Sequence, residues 1–148
     1  MEMRTSSSKK TTEAFLSNLK SILEQKGFDF DLRPIKRSLN LYRINAPSKS
    51  CFLFILDYRK KSFWEISPRW QDINRLIPSE HAGWAVILME ALDGEDQPSG
   101  FLISSSDFIK MRSGFSINRE GRIKIHKEDL SLRHEFKNWR SFFRLLKL

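Results

Sequence analysis

The sequence is poor in the residues that staple a chain or carry it across a membrane. It has one cysteine, Cys51. A single thiol cannot close an intramolecular disulfide, which excludes a small secreted scaffold held by bridges. No apolar run approaches the length that a membrane-spanning helix needs. The opening stretch, MEMRTSSSKKTT, has no apolar segment, so no signal peptide is expected. The three histidines, His81, His126 and His134, lack metal-ligand spacing with cysteine or acid, which argues against zinc. There is no P-loop, no Gly-x-Gly-x-x-Gly and no nucleophile elbow. The serine run 104–106 lacks the flanking glycines of an elbow and reads as a helix cap. These absences point to a soluble intracellular protein, cytoplasmic or nucleoid-associated, with no membrane partner.

Large apolar pieces are plentiful. Twelve phenylalanines and four tryptophans in 148 residues can fill one core without metals or disulfides. Cys51 is expected to pack as a small hydrophobe. Charge is unbalanced, with a net +8. It is also uneven: residues 1–61 and 109–148 are basic, whereas 62–108 are acidic. Such a field attracts polyanions, DNA or RNA foremost, although an acidic protein surface can use the same charge and a solvated basic surface needs no partner.

The periodicities predict an α+β domain: a mixed, mostly antiparallel sheet with flanking helices. Residues 1–11 read as a flexible basic terminus and 12–148 as one domain. A helix is expected from near Glu13, with Phe15, Leu16, Leu19, Ile22 and Leu23 on one face and Gly27 as its stop. Phe28, Phe30 and Leu32 alternate as a strand that Pro34 ends or edges. A second strand runs from about Ser38 to Ile44, followed by a loop over 45–50. Ser67-Pro68 signals a short helix with Trp70, Ile73, Leu76 and Ile77 inside. Trp84 to Met89 is a fully apolar strand, Phe101 to Ile103 its return, and Ser104 to Asp107 caps a short helix ended by Gly114. Phe115 to Ile125 reads as a polar hairpin. A last helix from about His134 has an aromatic face and a cationic one, Lys137, Arg140, Arg144 and Lys147. It closes the core or packs on a partner, a second copy included.

The stretch Cys51 to Ser67 organises the rest. Phe52 to Leu56 reads as a strand buried on both faces. After Asp57 comes a basic tip, Arg59-Lys60-Lys61, and then Phe63-Trp64-Glu65-Ile66, expected to fold back as a hairpin. That pairing brings Asp57 and Glu65 beside lysines. Two carboxylates are the hard ligands Mg²⁺ prefers, and Lys60 or Lys61 can stabilise charge on a phosphoryl group. The plain alternative has Asp57 end a strand and Glu65 face solvent between Trp64 and Ile66. Two further features suit nucleic acid. Tyr42-Arg43 and Tyr58-Arg59 set a ring beside a cation at a strand end. In the ribbon 119–127, Arg119, Arg122, Lys124 and Lys127 accompany isoleucines that alternate inward, as in a groove-following strand pair or a lysine-protected edge. The tryptophans read as core.

The order of helix, acidic strand hairpin, helix and two strands, over about residues 12–105, resembles the core of PD-(D/E)XK nucleases. Asp57 stands at the family's strand-ending acid. Glu65-Ile66-Ser67 matches its acid-x-lysine in part, with serine where the family has lysine. Glu13 or Glu24 would be the supporting acid. The resemblance implies a small Mg²⁺-dependent phosphodiesterase site, with Asp57 and Glu65 on the ion and Lys60 or Lys61 in the missing lysine's role. The missing lysine equally suits a non-catalytic DNA- or RNA-binding module or an accessory subunit of a nucleoprotein complex. A protein-interaction subunit is the third expectation.

Overall fold

A computed structural model describes residues 3–27, 30–36, 41–46, 49–57, 63–66, 84–92 and 97–146. Helix α1 (Met3–Gln25) comes first. No glycine or proline interrupts it, and it starts ten residues before Glu13, where the helix was expected to begin. It stops where expected: Gly27 adopts φ 76° and its N–H donates to Glu24 O.

Six strands then build the main sheet, in the order β1 (Asp31–Lys36), β2 (Leu41–Ala46), β3 (Lys49–Asp57), β5 (Trp84–Leu92), β6 (Pro98–Ser104) and β9 (Glu135–Phe136). Neighbours are antiparallel except β3 and β5, which run parallel. Pro34 lies inside β1, which its edge position permits, and the register shifts just after it. Strands β2 and β3 reach into the expected 45–50 loop, β2 to Ala46 and β3 from Lys49. The expected helix over 67–77 lies outside the described residues.

A second sheet has the order β4 (Phe63–Ile66), β8 (Ile123–His126) and β7 (Ser116–Ile117). The expected hairpin between β3 and β4 does not form. Both edges of β3 are taken, by β2 and β5, and β4 pairs with β8 instead. Side-chain pattern explains the choice. The main sheet is covered on both faces, so its central strands need continuous apolar runs. The alternation in β4, Trp64 and Ile66 against Phe63 and Glu65, would bury Glu65 there. In the small sheet that face meets water.

The molecule is one α+β domain whose main sheet separates two core halves. On one side Phe52, Phe54, Val86, Leu88, Phe101 and Ile103 meet Trp64, Ile66, Ile123 and Ile125 of the small sheet and Phe108 of helix α2 (Ser105–Met111). On the other side Cys51, Leu53, Ile55, Ile87 and Met89 meet α1 and helix α3 (Trp139–Leu146). Phe15 of α1 stacks on Trp139 at 5.1 Å and meets Phe142 edge-on at 5.4 Å. The aromatic face of α3 therefore closes this chain's own core. That helix starts later than expected. Asn138 caps it, accepting from Ser141 N at 2.8 Å, while a 3₁₀ turn (Leu132–His134) and β9 occupy the preceding residues. No described helix is long and apolar enough to cross a membrane.

Candidate nucleic-acid interface

The small sheet is fastened to the main one by Trp64. Its side chain is fully buried, and its indole N–H donates to Met89 O at 2.9 Å. Strand alternation then turns Phe63 and Glu65 away from the main sheet. On the neighbouring strand β8, Ile123 and Ile125 point in, and Lys124 and His126 point out. Register sets Phe63 opposite His126 and Glu65 opposite Lys124.

The outer face is thus a ring pair bordered by charge. The Phe63 and His126 rings have centroids 5.5 Å apart. Lys124 Nζ lies 4.9 Å from the Phe63 centroid, within cation–π range. Arg122 Nη1 stands 3.9 Å from Glu65 Oε1 across the exposed end of the sheet. The β7–β8 turn is held by Asn118, whose Oδ1 accepts from the N–H groups of Glu120 and Arg122 at 3.0 and 2.9 Å. Gly121 takes φ 80° and its N–H reaches Asn118 O, so the turn that carries Arg119 and Arg122 is built, not loose. Strand β8 is central in this sheet, with β4 and β7 on its two sides, and is not the lysine-protected edge strand considered from sequence.

The expected site residues are distributed unevenly around this face. Arg122, Lys124 and Glu65 share it, and Arg119 sits exposed on its turn. Lys127 follows β8 and is tied to Glu90 Oε2 at 2.6 Å. Arg43 lies elsewhere, on β2 of the main sheet. Its guanidinium covers the Phe52 ring at 5.3 Å, and its Nε is buried with no hydrogen-bond partner. Asp57 is the last residue of β3, in register with Met89; its side chain, and Arg59, Lys60 and Lys61 entirely, lie outside the described residues. Of the two expected Mg²⁺ ligands, Glu65 is exposed beside Arg122. Among the described residues no three His, Cys, Asp or Glu side chains gather into one cluster.

Phe63 and His126 were not foreseen as partners. The alternation Phe63-Trp64-Glu65-Ile66 puts Phe63 on the face away from Trp64, but only the β4–β8 register sets it beside His126. The expected tryptophan burial holds for Trp64, Trp84 and Trp139, and for Cys51 too; Trp70 lies outside the described residues. Tyr42 is half-buried, packed against the α1 and α3 side of the core.

A second titratable cluster joins α2 to the 3₁₀ turn. Asp107 Oδ2 is 3.7 Å from Arg133 Nη2 and 3.9 Å from His134 Nε2. Burial of the His134 ring lowers its pKa below the usual 6.5. The Arg133 charge lowers it further, and Asp107 opposes both. The Asp107 N–H is capped by Ser104 Oγ at 3.3 Å, as the serine run led one to expect. The cluster packs the turn against the domain.

Compared with known protein families and with curated proteins, the chain matches none.

Proposed function

We propose that this protein binds single-stranded nucleic acid on the outer face of its small sheet, as a non-catalytic module or accessory subunit. One observation carries the reading: the Phe63–His126 pair, half open to solvent, with Lys124 against the Phe63 ring. Every base offers a π-face, so such a pair stacks bases without regard to sequence. Lys124, Arg122 and Arg119 stand where phosphates would follow the strand, and the net charge of +8 favours their approach. Glu65 opposes a phosphate at the same face, and Arg122 offsets it. The support lies in this geometry and charge.

The test uses labelled single- and double-stranded DNA and RNA over a range of salt concentrations, with Mg²⁺ and with chelator. Salt-sensitive binding that favours single strands and falls with Phe63→Ala is the expected result. Mg²⁺-dependent cleavage would replace the module with the nuclease reading and turn attention to Asp57 and Glu65. Absence of binding to any of the four would end both.

A further inference from the structure

A second cationic surface follows β8 in the chain, and it differs in kind. The 3₁₀ turn, β9 and α3 enclose an open cleft of about 350 Å³. Helical periodicity makes it basic. Trp139, Phe142, Phe143 and Leu146 point into the core, so Arg140 and Arg144 point out, one turn apart. Lys137 joins them on the cleft wall, with Glu135 and Ser141. Among the described residues no carboxylate comes within ion-pair distance of Lys137, Arg140 or Arg144. At the mouth stands Leu132, 79 % exposed, the most exposed large hydrophobic side chain among the described residues.

We infer that this cleft docks an acidic protein segment carrying an apolar side chain. The three cations ask for carboxylates. Leu132 asks for an apolar neighbour, which a polyphosphate chain does not supply. Glu135 disfavours a ligand charged at every unit, whereas a peptide can set a neutral residue beside it. Among the described residues no aromatic ring lines the cleft to stack a base. Backbone pairing plays no part on the N–H groups already used: Glu135 N–H donates to Leu132 O, and Lys137 and Asn138 N–H donate to Ser141 Oγ at 2.9 and 3.2 Å. The edge strand β9 is closed by its own turn and cap, so the segment is held through side chains.

The experiment measures fluorescence anisotropy of two labelled synthetic peptides of equal length, one of glutamates around central leucines and one of glutamates alone. Labelled oligo(dT) is the third probe. The leucine-bearing peptide is expected to bind more tightly than its all-glutamate counterpart. The double variant Arg140→Glu, Arg144→Glu should weaken it by tenfold or more, about 1.4 kcal/mol or above. Leu132→Ser should weaken the leucine-bearing peptide severalfold and leave the all-glutamate peptide unchanged. Both variants should keep the oligo(dT) affinity of the wild type within a few fold. These residues are exposed, so the variants are expected to fold, and circular dichroism checks that they do. No peptide binding, no effect of the arginine reversals, or equal loss of both peptides with Leu132→Ser would overturn the assignment. A loss confined to oligo(dT) would overturn it too and give the cleft to nucleic acid.

Discussion

The small-sheet face and the α3 cleft are both basic, yet they are organised by opposite rules. On the small sheet the cations border aromatic rings, and an acid, Glu65, stands among them with Arg122 beside it. In the cleft the cations have, among the described residues, no ring and an aliphatic neighbour, Leu132. Net charge treats the two alike. The apolar partner separates them, because a ring offers stacking to a base and a leucine offers only apolar area. A single chain can therefore present two polyanion-attracting surfaces with different preferences.

The comparison breaks first at the supports. Trp64 holds the small sheet and Phe142 holds α3, each fully buried. Trp64→Ala and Phe142→Ala should each cost about 3–5 kcal/mol in urea unfolding. Gly100→Ala should be comparably harmful, since a Cβ there would stand 2.1 Å from Leu88 O, a backbone atom that cannot step aside. An unchanged unfolding midpoint for any of them would contradict the packing described. Next comes the ring. Phe63→Ala should weaken single-strand binding by about 1–3 kcal/mol and leave peptide binding at α3 alone. Equal loss at both surfaces would merge them. A smaller effect has the opposite sign: Glu65→Gln removes the carboxylate opposite Lys124 and should tighten oligonucleotide binding severalfold, most at low salt. Lys124→Ala should reduce the salt slope by about 0.7 for one lost phosphate on a single strand.

The smallest expected effect belongs to neither surface. His134 has a lowered folded pKa, so its proton favours the unfolded chain. Its contribution to stability is full above about pH 6.5, its unfolded value, and is lost as pH falls through the folded value. His134→Gln should flatten the stability profile over that acidic window. A profile unchanged by the substitution would show that the ring titrates alike in both states.

Much of the fold is legible from local pattern. The runs Phe52 to Leu56 and Trp84 to Met89 announce doubly buried strands, and they are the parallel centre of the main sheet. Gly27, the Ser104 cap and the ribbon around Asn118 are equally local, and each stands where its residues direct. What fails to show is pairing over distance. Strand β4 follows β3 by a few residues, so a hairpin is the economical reading, yet its partner β8 lies far along the chain. The alternation that excludes Glu65 from a two-sided core is visible in the sequence; the existence of a second sheet to receive it is not. The C-terminal segment misleads differently. Phe136 fits the aromatic period of the last helix, but Asn138 followed by Ser141 sets the start of that helix after it. On the candidate face, charge was legible and the ring pair was not, because Phe63 and His126 meet only through the β4–β8 register.

That register has a consequence for how the protein comes into being. Phe63 and His126 belong to the middle and the last third of the chain. A ribosome that has released β4 has not yet made β8, so the strand waits while β5 and β6 of the main sheet, α2 and β7 are synthesised. Contacts of such separation form slowly and late. The proposed nucleic-acid face is therefore absent from a chain that ends before β8. Synthesis through β8 is the condition for that surface to exist.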